Sequence, residues 1–238
     1  HAMLQAAGIA VEVGLMAPEA RALQAGFLSR VTRGRPWVAL KLATSFDGKI
    51  ATQSGESQWI TGPEARAHVH ALRARFDAVM VGGGTARADD PQLTVRGFRP
   101  ARQPVRVIVS GALDLPRDGR LAGSVAQAPL WLLHGGEAPT DARAYWADRG
   151  AELIETMNNM GGLDPASMLA DLGEKGLTRI FCEGGGELAA SLLRAGLVDE
   201  LIGFSAGLVL GAEARAGIGP MGIDALAAAP RFMLAESR

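Results

Sequence analysis

Short apolar runs alternate with segments whose apolar residues recur at helical spacing from residue 37 to the carboxyl end of the chain. A short apolar run bounded by turn residues is typical of a strand that is buried on both faces. The runs that predict such strands are Trp37–Leu42, Ala78–Val81, Val105–Val109, Leu130–Leu133, Leu153–Ile154, Arg179–Cys182, Leu201–Phe204 and Arg231–Ala235. Their alternation with helical segments predicts an α/β fold with an open, mainly parallel sheet covered on both faces.

Helix start signals follow several of these runs. Thr61 has the chemistry of an N-cap residue, Pro63 suits the first helical position, and Glu64 completes a capping box. Asp164-Pro165 opens a second helix, and a third helix begins at about Glu187, directly after a glycine-rich loop. The predicted strands therefore feed into helices, as a parallel sheet requires.

The first 35 residues do not share this alternation. Gly8–Val13 alternates like a short strand, and Pro18–Arg30 carries apolar residues on one side of a helix. Thr32–Pro36 breaks that helix and is typical of a linker, and His1–Met3 is typical of a cloning remnant. We therefore expect an amino-terminal piece over residues 1–35 and one domain over residues 36–238.

Composition and charge exclude several classes of protein. The 238 residues carry a net charge of −1, so no strong field recruits nucleic acid or an anionic membrane. No apolar run approaches the roughly 20 residues that cross a bilayer. Cys182 is the only cysteine, which excludes a disulfide within the chain and fits a reducing cytoplasm. His68 and His70 lie two residues apart on a predicted helix, where side chains diverge, so we expect no metal site.

Two glycine-rich loops follow predicted strands, at residues 82–85 (Gly-Gly-Gly-Thr) and 184–188 (Gly-Gly-Gly-Glu-Leu). Glycine lets a phosphate approach the backbone, and a helix that starts there offers unpaired N–H groups. The alternative is that these glycines only turn the chain. Residues 184–189 formally satisfy the dinucleotide-binding pattern G-x-G-x-x-A, but the next predicted strand ends at Ser205 without the acid that a Rossmann site uses.

Several polar or aromatic side chains each allow two interpretations. Lys41, in an otherwise apolar strand, is either solvated on an edge strand or faces a polar substrate. Trp59 either stacks on a flat ring or fills the core under a loop. The pair Asp89-Asp90 forms part of an acid/base or metal site, or caps a helix. Arg73 and Arg96 bind phosphate or are surface residues.

Four blocks of sequence carry a family resemblance. L-K-L-A-T-S-F-D-G-K-I-A (40–51), S-G-E-S-Q-W-I-T (54–61), G-T-A-R-A-D-D-P-Q-L-T-V-R (84–96) and E-G-G-G-E-L-A-A-S-L-L (183–193) resemble the reductase domain of the bifunctional riboflavin-biosynthesis deaminase/reductase. The resemblance runs from about residue 36 to the end of the chain and implies a dihydrofolate-reductase-like, three-layer α/β domain. It also implies a homodimer that uses NADPH to reduce 5-amino-6-(5-phosphoribosylamino)uracil to the ribitylamino compound, with hydride transfer to C1 of the ring-opened sugar.

The same resemblance implies which residues form the site. The residues expected to contact NADPH are Ala43, Trp59, Thr85, Asp89, Ser110 or Gly111, and the run Gly185, Gly186, Glu187, Leu188, Ala189, Ala190 and Ser191. The residues expected to contact the substrate are Ser57, Arg73, Leu93, Arg96 and Glu183. We expect the two arginines to bind the substrate phosphate, Glu183 to accept hydrogen bonds from the uracil edge, and Lys41 to serve in catalysis by binding ribose oxygens or delivering a proton.

Residues 1–35 resemble the end of the family's deaminase domain, but its H-x-E and P-C-x-x-C zinc motifs do not occur in the chain. We therefore expect a reductase half without the deaminase and without a metal. Three alternatives stay open: a stand-alone type of reductase that acts on the undeaminated diaminopyrimidinone, a non-catalytic dinucleotide-binding module, and a Rossmann dehydrogenase.

Overall fold

A seven-stranded, wholly parallel sheet forms the centre of the domain in a computed structural model that describes residues 1–237. Its strands are β1 (Trp37–Ser45), β3 (Ala78–Gly82), β4 (Val105–Val109), β5 (Leu130–His134), β6 (Glu152–Glu155), β9 (Arg179–Cys182) and β10 (Glu200–Ala206), in the spatial order β10-β1-β9-β3-β4-β5-β6. Two small antiparallel ladders pair β2 (Lys49–Ala51) with β11 (Arg215–Ala216), and β7 (Asn158–Asn159) with β8 (Gly162–Leu163). The predicted parallel α/β sheet is confirmed.

Helices cover both faces of this sheet and give three layers. The helices are α1 (Ala2–Ala6), α2 (Ala17–Leu23), α3 (Ala25–Arg33), α4 (Pro63–Arg73), α5 (Gly83–Asp89), α6 (Arg120–Gly123), α7 (Thr140–Asp148), α8 (Pro165–Glu174) and α9 (Gly186–Arg194). Apolar residues of α4, α5 and α7 pack on the face that carries Val79 and Phe181. Residues of α8 and α9 pack on the opposite face, around Leu40 and Met80, because successive strand residues point to opposite sides.

The amino-terminal piece differs from the sequence prediction. The predicted strand Gly8–Val13 is wrong: these residues form no strand and are mostly exposed, so their alternation has no sheet to face. The predicted helix over residues 18–30 is two helices that meet at Gln24. The second of them, α3, is anchored to the domain, because the Arg30 Nε–H donates to the Gly173 carbonyl at 2.8 Å.

Two further predictions about elements are corrected. Gly62, not Thr61, is the N-cap of α4, and no side chain caps that helix, so the capping box with Glu64 is wrong; Pro63 at the first helical position is confirmed. The predicted strand over residues 231–235 is also wrong, because this segment pairs with no strand of the described chain. Among residues 1–237, none of the helices has the length and hydropathy that a bilayer crossing requires.

The order of strands decides where a ligand can sit. β9 comes late in the sequence but lies between β1 and β3. The strands after β3 follow one another outward on one side, and β10 lies beyond β1 on the other side, so the strand order reverses near β9. The carboxyl ends of β1, β9, β3 and β4 therefore lie side by side along one edge of the sheet. In open parallel sheets, a crevice at such a reversal of strand order is where ligands bind.

Candidate active site

The two glycine-rich loops meet at this edge of the sheet. The predicted loop 82–85 is instead the end of β3 and the first turn of α5, whereas residues 184–185 form the short connection from β9 to α9; β3 and β9 are neighbours. The backbone N–H of Gly185 donates to the Thr85 Oγ1 at 3.1 Å, which joins the loops directly. A Cβ on Gly186 would lie 2.7 Å from the carbonyl oxygen of Ala216, so a side chain has no room there. The glycines therefore do more than turn the backbone: they let the start of α5, the start of α9 and the segment at Ala216 come close together.

The second loop ends in a helix start with unused donors. Gly185 is the N-cap of α9, and no side chain caps this helix. In the described chain, the backbone N–H groups of Gly186, Glu187 and Leu188 have no hydrogen-bond acceptor, whereas the N–H of Ala189 donates to the Gly185 carbonyl. The positive end of the helix dipole points the same way. Residues 186–188 of the predicted run 185–191 therefore form an arrangement that suits a phosphate. The remaining residues are placed differently: Ala189 and Ala190 are buried, and Ser191 lies in the second turn of α9.

A cluster of charged side chains lies beside the loops, between β1 and β9. The parallel register pairs Leu40 with Cys182, which places Lys41 and Glu183 one residue further along the two neighbouring strands. Arg73, the last residue of α4, forms a two-pronged ion pair with Glu183: its Nε lies 2.6 Å from Oε1, and its Nη2 lies 3.1 Å from Oε2. Each of the two side chains is only 11% exposed. The cluster thus brings together three residues that the sequence predicted separately.

Lys41 is not on an edge strand. β10 flanks β1 on its outer side and pairs Lys41 with Ile202, so the interpretation of Lys41 as a solvated edge residue is wrong. Burial lowers the pKa of the Lys41 ammonium; the nearby Glu183 carboxylate opposes that shift, and the positive charge of Arg73 adds to it. A lysine with a lowered pKa and a carboxylate beside it is suited to give up a proton, a pattern common at catalytic sites.

Arg73 and Glu183 bind each other, although the sequence predicts separate contacts for them, with the substrate phosphate and with the uracil edge. The third arginine nitrogen, Nη1, donates to the carbonyl of Thr94 at 2.9 Å, so all three nitrogens of Arg73 have protein acceptors. The Arg96 side chain is exposed. Arg96 is therefore the arginine that can take a phosphate without breaking an ion pair.

His70 belongs to this site, although the sequence analysis considered it only as a metal ligand. It lies one turn before Arg73 on α4, and its Nδ1 accepts a hydrogen bond from the backbone N–H of Arg96 at 3.2 Å. Burial and the charges of Arg73 and Arg96 lower the pKa of His70, which favours the neutral ring that can accept this bond. His70 and Arg73 together hold residues 94–96. The signal in the sequence was their spacing of three on one helix face.

Leu93 lies in the same segment, with its side chain buried. It is 3% exposed and has a φ of 54°, and its side chain packs in the core under α5. Only the main chain of Leu93 is therefore available to contact a substrate.

The ends of β3 and β4 carry the next group of predicted residues. Asp90 caps α6, because its carboxylate accepts from the backbone N–H groups of Arg120 and Leu121, so this half of the pair Asp89-Asp90 has a structural role. Asp89 is half-buried, and burial raises its pKa, with Arg120 partly opposing the shift. Ser110 is buried at the end of β4, and Gly111 follows it. Within residues 1–237, no group of three or more His, Cys, Asp or Glu side chains is placed to hold a metal ion.

Three predicted residues lie toward the other end of the edge. Ala43 is the β1 residue opposite Phe204 of β10. Ser57 and Trp59 lie in the connection between β2 and α4, and no hydrogen bond in the described chain ties their side chains to the charged cluster. The Trp59 side chain is 66% exposed, so it does not fill the core, and the Arg66 guanidinium lies over its ring at 4.5 Å.

Comparison with known proteins places this arrangement in a family. The family model for the RibD C-terminal domain matches residues 36–238. The riboflavin biosynthesis protein RibD of Escherichia coli is 38% identical over 250 residues, which cover 99% of this chain and 65% of that protein. The chain therefore spans less than two thirds of the length of this relative.

Solved structures agree with the sequence matches. RibD of Acinetobacter baumannii superposes with a TM-score of 0.83 at 33% identity, over 98% of this chain and 63% of that one. A Thermotoga maritima structure, named as a diaminohydroxyphosphoribosylaminopyrimidine deaminase/5-amino-6-(5-phosphoribosylamino)uracil reductase, superposes with a TM-score of 0.79 at 29% identity, over 98% and 62%. The three-layer, dihydrofolate-reductase-like fold is confirmed. The chain belongs to the RibD C-terminal domain family.

Proposed function

We propose that the chain reduces 5-amino-6-(5-phosphoribosylamino)uracil to 5-amino-6-(5-phosphoribitylamino)uracil with NADPH, a step of riboflavin biosynthesis. One observation carries the proposal: a helix start with three unused backbone donors lies directly beside the buried Lys41–Glu183–Arg73 cluster. The first feature suits a dinucleotide phosphate, and the second suits a polar substrate that must receive a proton. The name of the Thermotoga maritima structure supports the choice of substrate.

The residues at the strand ends fit a bound dinucleotide. The free N–H groups of residues 186–188 would hold a phosphate. Ala43, Trp59, Thr85, Asp89 and Ser110 or Gly111 are the further contacts that we propose. When bound, the reduced nicotinamide supplies a hydride.

The protein's own part in the reaction is to orient the substrate and to move a proton. Arg96 holds the substrate phosphate, supported by His70 through its backbone. Ser57 and the main chain of Leu93 are further substrate contacts, and Glu183 accepts from the uracil edge while Arg73 holds its carboxylate in place. The open sugar presents C1 as the carbon of a C1=N imine. As C1 gains the hydride, the C1=N π bond breaks and the Lys41 Nζ donates a proton to the nitrogen that receives its electron pair. Before this transfer, the Glu183 carboxylate stabilises the charged form of Lys41.

We extend the proposal to a homodimer. β10 is the last strand on its side of the sheet, so one edge of its backbone has no partner strand in the described chain. Leu201 at its start and Val209 just after it are exposed apolar residues, at 39% and 68%. An unpaired edge with apolar side chains favours pairing with a second copy. Light scattering on the purified chain, with Leu201→Lys as the disrupting variant, tests this assembly.

NADPH oxidation with two substrates tests the reaction. The deaminated phosphoribosylamino-uracil should be reduced, and the undeaminated diaminopyrimidinone should be reduced much more slowly. The reverse preference would establish the stand-alone type of reductase. Tight NADPH binding without turnover of either substrate would establish a non-catalytic module.

A further inference from the structure

Arg87 lies at the ends of β3 and β4 in a small polar network that the proposed reaction has not used. It is on α5, four residues after Gly83, so its side chain can fold back along the helix toward the loop. The guanidinium Nη1 donates to the Asp114 Oδ1 at 2.7 Å, and the Ser110 hydroxyl donates to the same oxygen at 3.0 Å. This network joins a helix to the end of a strand.

The lack of a side chain at Gly83 lets the arginine and the serine approach the backbone closely. A Cβ at Gly83 would lie 3.0 Å from the Ser110 Oγ and 3.2 Å from the Arg87 Nη1. The Arg87 Nη2 faces the neighbouring Gly84, at 3.9 Å from its Cβ position. The guanidinium and the hydroxyl therefore converge on a stretch of backbone that carries no side chains.

Arg87 keeps most of its donors for a ligand. Of its five N–H groups, only one on Nη1 has an acceptor in the part of the chain that the structure describes. The side chain is 47% exposed, which allows a ligand to reach it. A planar guanidinium with free parallel N–H groups is the side chain that best matches a phosphate monoester.

The distance from the α9 start also fits a nucleotide. Thr85, on the first turn of α5, accepts from the backbone N–H of Gly185, so the starts of α5 and α9 lie next to each other. β9, β3 and β4 are consecutive strands, and two strand spacings amount to about 10 Å. A phosphate held at residues 186–188 would therefore lie about 10 Å from the end of β4, a distance that an adenosine ribose and the long Arg87 side chain can together span.

We propose that Arg87 binds the 2′-phosphate of NADPH and makes the site prefer NADPH to NADH. This inference rests on the proposed function. An acid at such a strand end would bind the 2′-hydroxyl of NADH, whereas an arginine accommodates the 2′-phosphate. The only acid in the network, Asp114, is occupied by Arg87 and Ser110, and it holds the guanidinium over the glycines.

Titration calorimetry with NADPH, NADH and adenosine 2′,5′-bisphosphate on the full chain tests the inference. Arg87→Gln should weaken NADPH and the bisphosphate by about ten- to a hundredfold and leave NADH within about twofold. Arg117→Gln is the matched control, because Arg117 is also 47% exposed and also pairs with one carboxylate, that of Asp141. This control should change none of the three affinities.

The outcomes separate this inference from the proposed function. Equal weakening of NADPH and NADH binding in Arg87→Gln, or an unchanged NADPH affinity, would overturn the role of Arg87. The proposal that the chain uses NADPH would still stand. Failure of the unaltered chain to bind either dinucleotide would overturn the proposed function, and the role of Arg87 with it. Melting temperatures of the two variants within about 2 °C of the parent would show that the fold is retained, since both arginines lie on the surface.

Discussion

Gly185 offers a substitution in which stability and cofactor affinity should change in opposite directions. As the N-cap of α9 it has φ of −69° and ψ of 178°, an extended backbone that any residue adopts. A Cβ here would meet the Thr85 Oγ1 at 3.1 Å, a close contact that a small shift of the hydroxyl relieves. Both Gly185→Ala and Gly185→Asp should therefore fold.

The expected magnitudes follow from the position at the helix start. Aspartate is a preferred N-cap residue, and replacing a poor cap such as alanine with it stabilises a helix by about 0.5–2 kcal/mol. The same carboxylate would lie roughly 4 Å from a phosphate at residues 186–188. Two like charges at that distance repel by about 1 kcal/mol in water and about 4 kcal/mol at an effective dielectric constant near 20. The loss of NADPH affinity should thus lie between about fivefold and a thousandfold.

Titration calorimetry and thermal unfolding measure the two effects separately. Gly185→Asp should bind NADPH at least about fivefold more weakly than Gly185→Ala, while its melting temperature equals or exceeds that of the alanine variant. The alanine variant controls for the added Cβ. Equal affinities in the two variants would show that the loop is only a turn and that the dinucleotide binds elsewhere.

Three further predictions concern single side chains. Lys41→Met should lower kcat about a hundredfold or more with little change in NADPH affinity, and in the parent enzyme kcat should fall as pH rises through the lowered pKa of Lys41, because the proton donor is lost. An unchanged kcat would remove Lys41 from catalysis. Arg96→Ala should raise the KM for substrate about ten- to a hundredfold, from a loss of about 1.5–3 kcal/mol; a KM equal to that of the parent would make Arg96 a surface residue. Arg106→Met should destabilise the fold by about 2–5 kcal/mol in denaturant unfolding, because it leaves the buried Ala128 carbonyl and the buried Ser124 hydroxyl oxygen without their donor; loss of less than about 1 kcal/mol would contradict this.

The strands of the domain were predictable because burial on both faces requires continuous apolar runs. The run Arg179–Cys182 matches β9 at both ends, and Val105–Val109 matches β4. Lys41 stood out for the same reason, since a charge in such a run conflicts with its surroundings. The predicted strand at Gly8–Val13 had the right alternation, but among residues 1–237 no strand lies beside it to pair with it.

The contacts that complete the site were not predictable from local pattern. Arg73 and Glu183 are 110 residues apart, and their ion pair depends on the insertion of β9 beside β1. His70 reaches Arg96 only because residues 94–96 fold back along α4. Such pairings depend on the order of strands, which composition and periodicity do not encode.

The central claim is that NADPH reduces the deaminated substrate at the Lys41–Glu183–Arg73 cluster. Its most direct test is a single-turnover measurement with deuterated NADPH and 5-amino-6-(5-phosphoribosylamino)uracil, with the product analysed by mass spectrometry and NMR. We predict one deuterium at C1 of the ribityl chain in the parent chain and a greatly reduced yield in Lys41→Met. NADPH binding without transfer of deuterium to this substrate would contradict the account.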